Sequence, residues 1–161
     1  MIDQMSLPTA DSVVFRKRPR PVPGDLRIAW RLTVVILILG YCQKNKASLP
    51  KLHLLSNALK DSESMDRLSR ILDGSLSVMA WKVSVEPALG RALDLARGEK
   101  LVVFESNASY RLSDKGEATL RMVMGDDLVL TEQKAFLLKY AKSITNTFIN
   151  KLVRVQAGAA P

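Results

Sequence analysis

The residue types that most often carry covalent or metal chemistry are scarce in this sequence: one cysteine, Cys42, and one histidine, His53. A single thiol and a single imidazole cannot furnish a zinc site by themselves, and a lone thiol makes no internal disulfide. Cys42 lies in an apolar run and reads as a small buried hydrophobe, which fits a cytoplasmic setting. His53 flanks a leucine stripe, where a core-edge role outweighs a catalytic one. Asp61, Glu63 and Asp66 read as the solvated start of a helix. The sequence has no glycine-rich phosphate loop and no serine in a nucleophile-elbow context. The expectation is a protein that is not an enzyme and that needs no metal or cofactor.

What the sequence does offer is positive charge. Lysine and arginine number 24 against 16 aspartates and glutamates, a formal net charge of +8. Such an excess favours an acidic partner such as nucleic acid, although bulk charge bears on association and not on fold. Two groups of cations stand out. Arg16, Lys17, Arg18 and Arg20 sit among Pro19, Pro21 and Pro23, which makes residues 1–23 a stiff, extended, basic arm able to touch phosphate or a partner. Arg91, Arg97, Lys100, Arg111 and Lys115 gather around a helix and a hairpin further along, and are the other nucleic-acid candidates.

The elements that must position these groups follow from periodicity. With 161 residues, 47% apolar and 25% charged, the chain has the composition of one ordinary globular domain. Ile28, Leu32, Val35, Ile36 and Leu39 recur at helical spacing, with Asp25 as N-cap and an end near Gln43. Val34, Leu37 and Ile38 fill most of the remaining circumference, so this helix belongs at the centre of the core. The apolar stretch Thr33 to Cys42 is about half the ~20 residues that a membrane span needs, and Arg31 interrupts the run. No membrane role is expected. A second helix starts at Ser48 with Pro50 in its first turn. A third covers Ser62 to Leu72, with Gly74 as its stop.

Trp81 to Val85 alternates as a half-buried strand does. Pro87 then opens a fourth helix with Leu89, Ala92, Leu93 and Ala96 inward and Gly98 closing it. Strands at Leu101–Phe104 and Ser109–Leu112 form a tight hairpin, and Ser113-Asp114-Lys115-Gly116 caps a helix running to about Met124. From Thr131, a last long helix carries Leu137, Ala141, Ile144, Phe148, Leu152 and Val155 at near-heptad steps. The fold class is thus mostly α with a small β-hairpin, an α+β winged helix-turn-helix with a long C-terminal helix. Its divisions are an arm at 1–23, a winged-helix domain at 24–125, a C-terminal helix at 126–156 and a frayed tail at 157–161.

Glu86 to Val102 resembles the recognition helix and first wing strand of a winged helix. Tyr110-Arg111-Leu112-Ser113-Asp114-Lys115-Gly116 resembles the second wing strand entering the next helix. In that motif the leucine pins the strand, the serine caps the helix and the glycine permits close packing. A helix that reads bases needs long polar side chains outward. Here that face offers Arg91, Asp94, Leu95 and Arg97, and the wing tip Ser106-Asn107-Ala108 has no cation. The surface is thin for sequence reading and better suited to protein docking or to phosphate contacts. Leu95, Leu137, Ile144, Phe148 and Leu152 are the partner-binding candidates. For the final stripe, closure of the chain's own core, homodimerisation and partner docking all stay open.

The segment Asn45 to Lys60 is similar to the second-helix region of the small middle components of three-component ABC-ATPase systems, Lamassu-type antiphage defence among them. Pro87 to Asp94 and Tyr110 to Gly116 are similar to later motifs of that group. The resemblance implies a winged-helix accessory subunit that binds an SMC-like ABC ATPase, beside an effector subunit that is often a nuclease, and helps it hold or sense DNA. The alternative class is a free-standing winged-helix transcriptional regulator that binds an operator as a homodimer. The basic arm has no counterpart in the resemblance.

Overall fold

The computed structural model describes residues 24–158 apart from Val83, and the side chains of Gly24, Asp25 and Leu26 are outside that description. The basic arm, with Arg16, Lys17, Arg18 and Arg20, therefore lies outside the described residues.

Helix α1 (Gly24–Tyr41) is the axis of the fold. Val34 to Leu39 are all buried, six consecutive positions that can be covered only from every side. Each large apolar side chain removed from water there contributes roughly 1.5–3 kcal/mol. The first two turns behave differently: Arg27, Ile28 and Ala29 are exposed, so Ile28 is not part of the core stripe. Asp25 lies inside the helix rather than at its cap. A single 3-10 turn (Gln43–Asn45) follows, then strand β1 (Lys46–Ser48), which the sequence reading did not contain.

Helices α2 (Leu49–Ala58) and α3 (Ser62–Leu72) pack on each other, with Pro50 in the first turn of α2 as expected. Asp61 caps α3 by accepting from the Ser64 amide at 2.7 Å. Gly74 (φ +80°) ends that helix, because its left-handed backbone lets the Ser75 amide reach back to Arg70 O at 2.9 Å. The described residues between Trp81 and Val85 form no strand. Trp81 is buried, but Val85 is 78% exposed, and the Ser84 carbonyl is held by the Asn57 amide at 2.8 Å instead of by a ladder.

Helix α4 (Pro87–Gly98) buries Leu89, Ala92, Leu93 and Ala96, the inward face read from the sequence. Gly98 is its last residue, as expected, but the left-handed turn comes two positions later. The left-handed residue is Lys100 (φ 58°), around which the Leu101 amide bonds Ala96 O at 2.8 Å and the Lys100 amide bonds Arg97 O at 3.0 Å. Strands β2 (Val102–Glu105) and β3 (Ser109–Leu112) form the expected hairpin, with Phe104 opposite Tyr110. Strand β1 adds to the far side of β3, giving an antiparallel sheet of order β1-β3-β2.

Helix α5 (Asp114–Met124) starts on the Ser113 hydroxyl, which accepts from the Gly116 amide at 3.0 Å. The expected long C-terminal helix is two helices, α6 (Thr131–Tyr140) and α7 (Asn146–Gln156). Ser143 and Thr145 supply the break. Ser143 donates its hydroxyl to Tyr140 O at 2.8 Å, and Thr145 caps α7 by accepting from the Phe148 amide at 3.2 Å. Short hydroxyl side chains offer the backbone such alternatives to a continuing helix. Lys51 reaches across to donate to Ala141 O at 2.7 Å, satisfying a carbonyl at the break. Thr131 does not cap α6. Leu130, in a left-handed conformation (φ 51°), takes that place, and the Thr131 hydroxyl donates to Asp127 O. Helix α6 packs on α1 and α3, and α7 on α2.

Among the described residues, the architecture is seven α-helices around one small antiparallel sheet, mostly α with a minor β component. No helix among them is long and apolar enough to cross a membrane.

Candidate docking surface around the hairpin

The outward face of α4 and the β2–β3 hairpin form one continuous surface. Between them lies an open hollow of about 650 Å³, lined by Asp94, Arg97, Gly98, Lys100, Val102, Val103, Phe104 and Ser113. Ser113 ties the end of the hairpin to the junction between α4 and β2. Its amide donates to Leu101 O at 3.0 Å, and its hydroxyl faces the Lys100 and Leu101 carbonyls. The close approach depends on Gly116, where a Cβ would stand 2.1 Å from the Leu101 carbonyl oxygen.

Three of the five cations expected to face nucleic acid here are engaged within the chain. The Arg97 guanidinium lies over the Phe104 ring, 5.7 Å from its centroid, and Phe104 in turn packs on Tyr110 at 5.0 Å. Arg111 donates to Glu105 at 2.8 Å, and Lys46 from β1 meets the same carboxylate at 3.0 Å. Hydrogen bonds from Lys46 and Arg111 hold the Glu105 carboxyl well below the usual range, at about 2. Lys115 donates to Glu99 O at 2.8 Å and lies 3.6 Å from the Glu99 carboxylate, bracing α5 on the end of α4. Arg91 and Lys100 are exposed and make no ion pair among the described residues. Arg16, Lys17, Arg18 and Arg20 are outside the described residues.

Apolar groups share this surface. Leu95 is 40% exposed on α4, and Val103 and Phe104 are 43% and 47% exposed on β2. Compared with family models, curated proteins and solved structures, the chain matches none.

The other partner-binding candidates are placed differently. Leu137, Ile144 and Leu152 are each 1% exposed and belong to the main core, and Phe148 is half-buried against it. The stripe closes the chain's own core, so these four residues offer no free apolar face to a second chain. The physical reason is the break at Ser143 to Thr145, which folds α7 back onto α2.

Two polar arrangements had no sequence signal strong enough to find them. The first centres on Glu86, the residue before α4. Arg31 contacts it in a fork at 2.7 and 3.3 Å, Lys60 at 2.5 Å and the Ser56 hydroxyl at 3.0 Å. Burial pushes the Glu86 carboxyl up, but the bonds from Lys60 and Arg31 outweigh it and hold the group below its ordinary value. His53 accepts from the Glu86 amide through Nδ1 at 3.4 Å, and burial draws its pKa down against the pull of the Glu86 charge. Arg31, the charge that interrupts an apolar helix, is thus the α1 anchor for the start of α4. The second arrangement is a lysine-lined cleft beside β1, formed by residues from three distant segments.

Cys42 is buried, and burial pushes its thiol up, away from the reactive thiolate. Among the described residues, no group of three or more His, Cys, Asp or Glu side chains is placed to hold a metal ion.

Proposed function

We propose that this chain is a non-catalytic winged-helix subunit that docks through α4 and the β2–β3 hairpin onto a larger protein. The resemblance of Asn45 to Lys60, Pro87 to Asp94 and Tyr110 to Gly116 names that partner as an SMC-like ABC ATPase of an antiphage defence complex, working with an effector subunit in the cytoplasm. The fold reading draws support from element order: helix, edge strand, helices, then a hairpin whose second strand sits between the other two.

The docking reading rests on one observation. The α4–hairpin surface has spent most of its cations on internal partners while leaving Leu95, Val103 and Phe104 in water. Base reading needs free, long polar groups, whereas protein interfaces concentrate exposed aromatic and aliphatic anchors beside arginine. Phe104 with Arg97 stacked on it is such an anchor.

The test is co-expression with an SMC-like ABC ATPase, followed by affinity capture and light scattering of the complex. The double variant Leu95→Asp/Phe104→Asp is expected to lose capture by at least about tenfold, since central anchors are worth ~2 kcal/mol or more each. Arg91→Ala is expected to retain it. A homodimer of the isolated chain that shifts one upstream sequence selectively over random DNA would overturn docking in favour of operator reading.

A further inference from the structure

Among the described residues, a second group of cations lies on the opposite edge of the sheet from the α4 hollow. Strand β1, the turn before it, the start of α2 and the α6–α7 junction enclose an open cleft of about 500 Å³. Lys44, Lys46, Lys51 and Lys142 line it, together with neutral donors that include Asn107 and Asn146, and no carboxylate does. We propose that this cleft binds the phosphate backbone of duplex DNA.

Convergence is the first argument. The four lysines come from a turn, a strand, a helix and an interhelical break, and like charges brought together repel unless an anion lies between them. Two are partly committed: Lys46 to Glu105, and Lys51 to the Ala141 carbonyl. The Lys51 ammonium also reaches the Cys42 thiol, and neither the carbonyl nor the thiol neutralises its charge. Lys44 and Lys142 are exposed and make no ion pair among the described residues.

The turn that presents Lys44 is the second argument. Lys44 and Asn45 are consecutive non-glycine residues in the left-handed region, at φ 56° and 52°. Such backbone is disfavoured and persists where its surroundings enforce it. Here Asn45 enforces it by donating its side-chain amide to Glu117 on α5 at 2.9 Å. The Lys44 ammonium is thereby carried on a fixed base.

The lining of the cleft selects the ligand. No aromatic side chain lines the cleft. Single strands are gripped largely by stacking their bases on aromatic rings, whereas a duplex presents only sugar and phosphate to such a surface. Lysines beside neutral amides and hydroxyls suit phosphate oxygens at any sequence. The binding is therefore sequence-independent and steeply dependent on salt.

Fluorescence anisotropy of the full chain with a labelled random duplex of about 20 base pairs, between about 50 and 200 mM salt, reads this directly. Lys44→Gln/Lys142→Gln is expected to weaken binding about tenfold and to lower the log–log salt slope by about two. Lys44→Arg/Lys142→Arg restores it. Arg91→Gln/Lys100→Gln stays within about twofold of the unaltered chain, and the single strand binds more weakly than the duplex. The arm is controlled by repeating the cleft substitution on a background carrying Arg16→Gln, Lys17→Gln, Arg18→Gln and Arg20→Gln, where the same loss is expected. Failure of the unaltered chain to bind, a cleft variant that binds normally, a loss carried equally by the α4 variant, or tighter binding of the single strand would each overturn the proposal. The ATPase is absent from the assay, so its outcome is separate from that of the docking experiment.

Discussion

Glu86 holds three elements together with one carboxylate. Arg31 on α1, Lys60 after α2 and Ser56 on α2 all contact it just before α4 begins. Glu86→Gln keeps the shape but leaves Arg31 facing a neutral amide, and the cost expected in denaturant unfolding is about 2–4 kcal/mol. The carboxyl has its pKa lowered in the fold, so its contribution is present above the unfolded value and is lost as pH falls through the folded one. The contribution of His53, whose pKa is also lowered, is lost as pH drops below its ordinary 6.5, because burial disfavours the charged ring more than the Glu86 charge favours it. Urea midpoints between pH 7 and about 2 should fall in two stages, the first absent in His53→Gln and the second reduced in Glu86→Gln, since Glu105 and Asp61 also have lowered values and share the acid stage. A flat profile would show that neither group is linked to folding. None of this was legible from spacing. Arg31 and Glu86 are 55 positions apart, and periodicity speaks only of neighbours along one element.

Individual elements were readable in proportion to their length and pattern. Helices α3, α4 and α5 came out of end signals and apolar stripes nearly to the residue, because Gly74, Pro87 and Ser113 are local signals with local consequences. Gly116 is the clearest case. The motif asked for close packing there, and a Cβ would press on the Leu101 carbonyl, which as backbone has little room to yield. Gly116→Ala is expected to lower stability by about 1–3 kcal/mol and to loosen the hairpin, seen as faster amide exchange at Ser113. Strand β1 escaped because three residues cannot show an alternation. Trp81 to Val85 misled for the opposite reason: it alternates in sequence, yet its Ser84 carbonyl is held by the Asn57 side chain and not by a ladder. The α6–α7 break escaped because Leu137, Ala141, Ile144 and Leu152 keep a helical step straight through Ser143 and Thr145, and hydroxyl residues are tolerated in helices often enough to hide a stop.

For the molecule as a whole, that break decides where the C-terminal third goes. A continuous helix over Thr131 to Gln156 would carry its apolar stripe away from the domain, whereas two short helices fold the stripe inward onto α1, α2 and α3. Leu137→Ala should therefore destabilise the chain by about 2–5 kcal/mol without changing its molecular mass by light scattering. A change of oligomeric state with unaltered stability would return Leu137 to the surface. The central place of α1 was legible because a helix apolar nearly all round has only one home. The candidate surface was half legible. The α4 face could be read for what it lacks, but the lysine cleft is made by chain segments that only the folded topology brings together.

The brevity of β1 has one more effect. A sheet whose outermost strand is three residues long, with Lys46 within it and Lys44 beside it, presents little free backbone to another sheet and surrounds that backbone with repulsion. The same charges that invite an anionic polymer also discourage edge-to-edge stacking of identical copies, so concentrated solutions of a lysine-stripped chain should cloud before those of the native one.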